Sequence, residues 1–531
     1  MAFEASIDRM QSVAELLRAR AAAHPDRDFL WCDAERWTYA ETDRRTDAVA
    51  AGLAETGVAA GDRVAVISSN RPEMLELFFA LAKLGAIHVP LNVFLKGDFL
   101  RYQLQDSQAS TLVADAAGLQ AVNAVLDDVP ELKRIVVLDD GEGDAIPYTR
   151  IRSSSAPVPQ PEITQASLMA IMYTSGTTGM PKGCMLPHGW YLNTPKSSKH
   201  MMGYGEGDVL ETALPLFHAW AQGMVMGALY NGLRAVIETQ FSPATVVQRW
   251  KETGATVYAG VGMMGMAMLA MPESPSDRDH TVRCTLMLPF APDEQRRFEE
   301  RFGLTLLSQM YGQTEGGAIT FNALSEERKY GTIGKPSPFY DLRLVDDDDK
   351  EVARGEVGEI AIRPREPYGM YLGYWRKPEA TIEAWRNLWH HTGDQGRMDD
   401  DGFITFVDRK KDAIRRRGEN VSSVEVEIAI QRHPKVAEVA VHAVPSEISE
   451  DDIKACIVVV PGDAPTPDEL FDFFKQKLPY FAVPRYVEIV PELPRNATLR
   501  VMKHLLRARG VTAETWDFEE LGLTVARDER R

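Results

Sequence analysis

The chain has 531 residues, of which 44% are hydrophobic and 26% charged, and its formal net charge at pH 7 is -18. This length exceeds what one hydrophobic core organises, so two or more domains are expected. The composition is that of a globular protein and excludes a disordered or fibrous class. The acidic balance, with no basic stripe, argues against a nucleic-acid partner, because a phosphate backbone requires clustered Lys and Arg.

The N-terminus and the cysteines bear on the cellular compartment. Residues 1–17, MAFEASIDRMQSVAELL, lack a basic region followed by an apolar stretch, and no run of 18 apolar residues occurs in the chain. We therefore expect a cytoplasmic protein without a transmembrane segment. Four cysteines without CxxC or Cys/His spacing are expected to be reduced, buried thiols: Cys32, Cys184, Cys284 and Cys456.

The first third of the chain alternates short apolar runs with amphipathic stretches. Residues 63–67 and 86–90 are apolar runs, and residues 73–84 between them have a helical pattern. This alternation predicts α/β layering with parallel strands. Residues 153–163, SSSAPVPQPEI, predict a surface linker.

A candidate phosphate loop follows. The apolar run 168–173 leads directly into residues 174–183, TSGTTGMPKG. Glycines let backbone N–H groups turn toward an anion, hydroxyls add donors, and a Lys supplies positive charge. A flexible surface turn accounts for any one of these features but not for all together. Pro181 stands where a Walker A loop has its second glycine, so the segment predicts a different polyphosphate loop.

Residues 173–183, YTSGTTGMPKG, resemble the signature loop of the adenylate-forming superfamily, which contains acyl-CoA synthetases, aryl-CoA ligases, peptide-synthetase adenylation domains and luciferases. The resemblance covers nearly the whole chain, with five motifs in the family's order. It implies that ATP phosphates are held by Thr174, Ser175, Gly176, Thr177, Thr178, Gly179 and Lys182.

Residues 311–315, YGQTE, resemble the second signature of that family. By resemblance, Tyr311 stacks on adenine, Gly312 and Gln313 belong to the nucleotide site, Thr314 bonds the α-phosphate and Glu315 holds Mg²⁺. A carboxylate beside a phosphate site needs a cation between them, and a hard oxygen ligand suits magnesium.

Residues 392–394, TGD, and 408–412, DRKKD, resemble the family's ribose-binding pair and its hinge. The resemblance implies that Asp394 and Arg409 bind the ribose and that Lys411 is the hinge residue. After Arg409 the pattern becomes that of a small α+β module. We predict an N-terminal ATP- and acyl-binding domain over residues 1–408 and a mobile C-terminal domain over residues 409–531.

Residues 415–427, RRRGENVSSVEVE, are similar to the glycine loop that lines the pantetheine tunnel of coenzyme A ligases, and their wording is closest to the carnitine and crotonobetaine branch. This implies coenzyme A as co-substrate and places Arg415, Gly418 and Asn420 at the adenylate and tunnel.

Residues 214–218, LPLFH, resemble the family's aromatic-His motif at the acyl pocket, so we predict that His218 faces the carboxylate. A lone His is otherwise usually structural, and a methionine-rich run usually belongs to a core. The predicted pocket implies a hydrophobic or aromatic acid of moderate size, and its other members are Trp220, Gln222, Met224, Val261, Gly262, Met263 and Leu288.

Two segments depart from the family's pattern. The final motif, whose Lys stabilises charge during adenylation, has Arg500 at that position, and either Arg500 or the nearby Lys503 is a candidate for the role. Residues 288–292, LPFAP, stand where relatives carry a small-residue turn against adenine, so an altered pocket is expected.

The predicted fold is a large multi-subdomain N-terminal α/β domain with a small mobile α+β C-terminal domain. The predicted activity is ATP-dependent conversion of a small carboxylic acid to acyl-AMP and then to a coenzyme A thioester. Two alternatives remain: transfer of the activated acid to an amine, a carrier-protein thiol or nitrite, and a nucleotide-binding protein without catalysis. A homodimer is compatible with the sequence.

Overall fold

The computed structural model describes residues 6–139, 145–174, 180–409, 413–416, 419–446, 450–494, 501 and 503–526. Its α-helices in chain order are α1 (Val13–Ala23), α2 (Tyr39–Glu55), α3 (Pro72–Leu84), α4 (Gly97–Ser107), α5 (Ala116–Asn123), α6 (Tyr148–Arg152), α7 (His188–Met202), α8 (Ala219–Asn231), α9 (Val246–Thr253), α10 (Gly262–Ala270), α11 (Pro292–Phe302), α12 (Pro378–Ala384), α13 (Ser423–Ile430), α14 (Pro467–Lys477) and α15 (Lys503–Arg509).

The strands of the first two thirds are β1 (Asp28–Cys32), β2 (Glu35–Thr38), β3 (Arg63–Ile67), β4 (Ile87–Pro90), β5 (Thr111–Ala114), β6 (Arg134–Val137), β7 (Ile146–Pro147), β8 (Leu168–Thr174), β9 (Lys182–Pro187), β10 (Val209–Thr212), β11 (Arg234–Ile237), β12 (Val257–Ala259), β13 (Cys284–Leu286), β14 (Thr305–Leu307), β15 (Met310–Gln313) and β16 (Gly317–Phe321). Those of the last third are β17 (Lys335–Pro336), β18 (Tyr340–Val345), β19 (Val357–Pro364), β20 (His390–Met398), β21 (Ile404–Arg409), β22 (Ala413–Arg416), β23 (Glu419–Ser422), β24 (Val436–Pro445), β25 (Asp451–Val459), β26 (Tyr486–Ile489) and β27 (Thr515–Asp517).

Two seven-stranded sheets form the centre of the large domain. Their strand orders are β7-β6-β5-β3-β4-β8-β9 and β14-β13-β12-β10-β11-β1-β2. In the first sheet only the β8–β9 pair is antiparallel, and in the second only the β1–β2 pair. Helices cover both sheets, as parallel strands require, since their crossover connections lie on the sheet faces. The predicted α/β layering is confirmed.

Helix α3 shows why the predicted elements form where they do. Pro72 stands at its first turn, where a missing N–H costs nothing, and Gly85 ends it in the left-handed conformation with φ 65°. Every residue from Met74 to Leu84 is buried, because the helix lies between α2 and the first sheet. The helix is therefore stabilised by burial on all sides, although its sequence has only a weak amphipathic pattern.

Strands β18 to β21 form an antiparallel sheet after the two parallel ones. The acidic run 346–349 is the turn of the hairpin that begins this sheet, with Asp346 N–H bonded to Lys350 O at 2.9 Å. Strand β21 ends at Arg409, and β22 begins at Ala413.

The small C-terminal domain contains the hairpin β22–β23 and a sheet of order β24-β25-β26-β27. It lies against the large domain through a core that mixes apolar residues of the first sheet and α4 with those of α13 and α14. The rings of Phe94 and Tyr480 have centroids 4.6 Å apart across this contact, and Arg432 pairs with Asp98. The boundary at residues 408 and 409 remains a prediction, and Lys411 lies outside the described residues.

Two further expectations concern membrane-spanning helices and the cysteines. Within the described ranges, no helix is long and apolar enough to cross a membrane. The four cysteines are free and buried, as predicted. Burial raises the pKa of Cys284 and of Cys456 to about 11 each, so both are held as neutral thiols.

Candidate active site

A cavity of about 910 Å³ lies between the two domains. It is lined by the ends of the β8–β9 hairpin, by residues 308–315, by residues 391–394 and by residues of the small domain. Loops beyond the carboxyl ends of parallel strands meet at one edge of a sheet, which is where α/β folds usually bind ligands.

The β8–β9 hairpin holds the candidate phosphate loop at this edge. Thr174 and Lys182 are register partners at the end of the hairpin where residues 175–181 join the two strands. Tyr173 Oη donates to Asp106 at 2.8 Å, and Tyr102 Oη donates to Pro181 O at 3.1 Å, so α4 anchors both sides of the loop. Thr174 and Lys182 line the cavity, while Ser175, Gly176, Thr177, Thr178 and Gly179 lie outside the described residues.

Lys182 and Glu315 face the same part of the cavity. Lys182 Nζ lies 4.7 Å from the ring centroid of Tyr374, whose hydroxyl donates to Glu315 Oε1 at 2.9 Å. Glu315 is 8% exposed and lines the cavity. Burial, together with the charge of Glu315, raises the pKa of Tyr374, so its hydroxyl stays a donor to the carboxylate. A half-buried cation and a buried carboxylate at one wall suit a metal-bound polyphosphate.

Tyr311 and Gln313 bind the carboxylate of Asp394. Tyr311 Oη donates to Asp394 Oδ2 at 2.5 Å, and Gln313 Nε2 donates to the same oxygen at 2.9 Å. Asp394 is 2% exposed and lines the cavity. At Gly312, a Cβ atom would lie 2.2 Å from Gly317 O, so only glycine allows the turn that brings Thr314 and Glu315 to the wall.

The predicted ribose pair is brought together by strand register. Asp394 on β20 is the partner of Arg409 on β21. The Arg409 side chain lies outside the described residues, so its contact with a sugar stays a prediction.

An apolar wall lies opposite, at His218. Phe217 and His218 line the cavity together with Leu288, Phe290 and Ile333. Leu288, Pro289 and Phe290 of the LPFAP segment are part of this wall. That the segment alters the pocket stays a prediction. Helix α10 fits closely against it, since a Cβ atom at Gly262 would lie 2.0 Å from Pro289 O.

Six of the predicted pocket residues do not line this cavity: Trp220, Gln222, Met224, Val261, Gly262 and Met263. Helix α8 begins immediately after His218, and its periodicity turns the following side chains toward the core. Met224 is 2% exposed, and Gln222 donates to Leu216 O at 2.8 Å and accepts from Tyr191 Oη at 2.7 Å. Gly262 acts through backbone packing.

The small domain closes the cavity with the β22–β23 hairpin. Glu419 Oε1 lies 3.1 Å from His218 Nε2, and Arg415 lines the cavity while pairing with Glu450 at 3.2 Å. Burial alone lowers the pKa of His218, but the charge and hydrogen bond of Glu419 outweigh it and the repulsion from Arg415, so the pKa lies above its usual value.

Three predicted residues of the small domain lack a described side chain. Gly418 and Arg500 lie outside the described residues, as does the side chain of Asn420 on β23. Lys503 does not line the cavity: its Nζ lies 2.7 Å from Glu427 Oε1 and 2.7 Å from Ser423 Oγ.

Several lining residues were not predicted from the sequence. Glu359, Arg386 and His391 line the cavity together beside Asp394, and Glu419 was predicted only as part of a glycine loop. Glu359 stands in an alternating strand pattern, GEIAIRP, which gives no indication of function.

The fold and the cavity define a two-domain protein in which the candidate nucleotide motifs lie beside an apolar wall. Residues 17–375 match the family model of the AMP-binding enzyme, and residues 425–499 match that of the AMP-binding enzyme C-terminal domain. The chain belongs to this family, the adenylate-forming superfamily.

Relatives of known name include the crotonobetaine/carnitine--CoA ligase of Salmonella paratyphi B, which is 32% identical over 89% of this chain and 93% of its own length. Among solved structures, a double mutant of o-succinylbenzoate CoA synthetase from Bacillus subtilis, bound to the product analogue OSB-NCoA, matches with a TM-score of 0.82 at 26% identity over 93% of this chain and 98% of that one. The same enzyme with AMP matches with a TM-score of 0.67 at 27% identity over 93% and 98%.

The amide bond synthetase McbA from Marinactinospora thermotolerans matches with a TM-score of 0.82 at 24% identity, over 94% of this chain and 99% of that one, which shows a shared fold.

Proposed function

We propose that this protein activates a hydrophobic or aromatic carboxylic acid with ATP and transfers the acyl group to the thiol of coenzyme A. The observation that carries the proposal is a single cavity whose wall contains the nucleotide motifs, an apolar face at His218 and the small domain's Glu419. A mixed anhydride made at the nucleotide side thus lies within reach of a thiol that enters beside the small domain.

In the first step, a carboxylate oxygen of the acid attacks the α-phosphorus of ATP. The bond from that phosphorus to the bridging oxygen breaks, and pyrophosphate leaves. Lys182 and the loop after Thr174 would hold the phosphates, Thr314 the α-phosphate, and Asp394 with Arg409 the ribose. Glu315 would hold Mg²⁺, which supplies charge neutralisation on the phosphates.

In the second step, the sulfur of coenzyme A attacks the acyl carbon, the carbon–oxygen bond to AMP breaks, and the thiol proton is released. The likeness to the o-succinylbenzoate enzyme supports the proposal that the two domains are arranged here as for thioester formation. The TM-score is higher for that enzyme's complex with OSB-NCoA than for its complex with AMP. We propose that the small domain rotates about a hinge near Lys411 between the two steps.

The hydrophobic character of the acid is supported by the wall around His218, where Phe217, Leu288, Phe290 and Ile333 provide apolar contacts. The cavity is shared with ATP and the acceptor, which favours an acid of moderate size. We also propose a cytoplasmic reaction, because ATP and coenzyme A are supplied there.

The test is pyrophosphate release with a panel of medium-chain, aryl, branched and short polar acids, with and without coenzyme A. We expect release with one hydrophobic class and faster turnover with coenzyme A, and loss of release in Glu315→Gln. Turnover driven only by short polar acids overturns the proposed substrate class.

An amine arm belongs in the same experiment, because the amide bond synthetase has the same fold. Amide formation without any coenzyme A dependence would assign the other acceptor class. A protein that binds ATP but releases no pyrophosphate with any acid overturns the proposal of an active ligase.

A further inference from the structure

The segment that presents Asp394 is a bulge in strand β20. On the neighbouring strand β19, Glu359 is the partner of Gln395 and Ala361 is the partner of His391. Residues 392–394 therefore lie opposite the single residue Ile360. Backbone groups in a bulge lose their ladder partners and need others when they are buried.

Two side chains supply those partners. Gly393 N–H donates to Glu359 Oε1 at 3.0 Å, and Asp394 N–H donates to Thr392 Oγ1 at 3.2 Å. Thr392 Oγ1 in turn donates to Ile360 O at 2.8 Å. Gly393 has φ 74°, a conformation that favours glycine, so the turn depends on these bonds rather than on the regular ladder.

The Glu359 carboxylate is itself fixed on its other side. Arg386 Nη2 lies 3.2 Å from Glu359 Oε2, His391 Nδ1 lies 3.4 Å from the same oxygen, and Arg386 Nε lies 2.9 Å from Asp349 Oδ1. Glu359 is 3% exposed, and a buried carboxylate of this kind requires paired charge and hydrogen bonds.

We propose that Glu359 is a positioning residue for nucleotide binding, which holds Asp394 in place through the N–H group of Gly393. The inference rests on the proposed function, in which Asp394 accepts the ribose hydroxyls. One carboxylate oxygen of Asp394 already accepts hydrogen bonds from Tyr311 and Gln313. The position of the backbone at Asp394 therefore determines where the other carboxylate oxygen points. Small displacements of such a group weaken a bidentate contact strongly.

The test compares Glu359→Ala with Glu359→Gln in the full-length enzyme, by pyrophosphate exchange. Alanine removes the acceptor of Gly393 N–H, so we expect the KM for ATP to rise about tenfold while the KM for the acid changes less than twofold. Glutamine keeps an acceptor oxygen, and we expect it to restore the KM for ATP to within about threefold of wild type. Thr392→Val tests the same bulge without removing a buried charge. We again expect the KM for ATP to rise while the KM for the acid changes less than twofold.

A second measurement separates positioning from a general loss of stability. Wild-type enzyme should prefer ATP over 3′-deoxyATP, and this preference should fall in Glu359→Ala, since a displaced Asp394 no longer distinguishes the missing hydroxyl. Asp341→Asn is the matched control, because Asp341 pairs with Arg363 and Arg365 on the exposed side of the same sheet. This variant should leave the KM for ATP and the preference for ATP over 3′-deoxyATP unchanged.

An unchanged KM for ATP with an unchanged nucleotide preference in folded Glu359→Ala and Thr392→Val overturns the inference alone. Wild-type enzyme that turns over acid but does not distinguish the two nucleotides overturns the ribose role of Asp394 and this inference with it. Absence of any pyrophosphate exchange in wild type is instead a failure of the proposed function.

Discussion

His218 Nε2 and Glu419 Oε1 lie 3.1 Å apart, so one residue of the large domain and one of the small domain meet at the cavity. The pKa of His218 is raised above 6.5 by this neighbour, against the effect of burial. The attraction is therefore fully present below pH 6.5 and is lost as the pH rises through the raised value.

We predict that Glu419→Gln slows thioester formation and shifts an ionisation in its pH profile to lower pH, because the histidine loses the charge that favours its protonated form. Pyrophosphate release from ATP and the acid should be unaffected. The measurement is single-turnover acyl transfer from preformed adenylate between about pH 5.5 and 9, a range that contains the pKa values usual for histidine. An identical profile in the variant would contradict the prediction.

A second prediction concerns the substitution in the final motif. Lys503 is held by Glu427 and Ser423, which belong to the same domain as Lys503 itself, so a rotation of that domain does not release it. Arg500 is then the residue expected to stabilise charge during adenylation.

Arg500→Ala should reduce pyrophosphate release at least about a hundredfold, and Arg500→Lys should retain activity. Lys503→Met should mainly lower the melting temperature of the small domain. If Lys503→Met abolishes release in a folded protein while Arg500→Ala does not, the roles are reversed.

A third prediction tests the wall formed by residues 288–290. Gly262→Ala places a methyl group 2.0 Å from Pro289 O, so helix α10 or the wall must move. We expect a lower free energy of unfolding, by roughly 1–3 kcal/mol, and an altered KM for the acid. Gly223→Ala is the control, since a Cβ atom there meets nothing within 4 Å and alanine favours the helix. Equal behaviour of the two variants in urea unfolding would rule out the close contact.

A fourth prediction concerns a buried acid in the second sheet. Burial raises the pKa of Glu211 to about 8, against a hydrogen bond from Thr253, so the folded protein binds a proton that the unfolded chain releases near 4.5. Stability conferred by the neutral form is present below pH 4.5 and is lost as the pH rises toward 8.

The free energy of unfolding of wild type, measured by thermal unfolding, should therefore fall from pH 5 to pH 8 by an amount on the order of 3 kcal/mol, and Glu211→Gln should remove much of this dependence. Glu206→Gln, at an exposed acid paired with Arg27, serves as the control. A variant as pH-dependent as wild type would show that Glu211 is ionised in the folded state.

The candidate nucleotide motifs could be located from the sequence because their residues are close together along the chain. The loop from Thr174 to Lys182 and the segment from Tyr311 to Glu315 combine turn geometry, donors and charge within a few consecutive residues. The structure brings Thr174, Lys182, Glu315 and Asp394 to one cavity. The small α+β module predicted after Arg409 is likewise present, with a helix at Ser423–Ile430 and a four-stranded sheet.

The apolar wall at His218 was less predictable, because whether a residue lines it depends on the direction in which a helix presents each side chain. Trp220, Gln222 and Met224 follow His218 closely in sequence, yet none of them lines the cavity. Phe290 does, although its segment was noticed only as a departure from a family pattern.

The sequence by itself thus determined the fold class and the family, and it supplied candidate nucleotide-binding residues, since these depend on local turns and on hydrophobic period. Only the tertiary structure decided that Glu359 supports the bulge at Gly393, that Lys503 is bound within its own domain and that Glu419 meets His218. Those relationships join residues that are 34 to 201 positions apart in the sequence. They depend on how strands and domains are placed beside one another, which no local sequence pattern encodes.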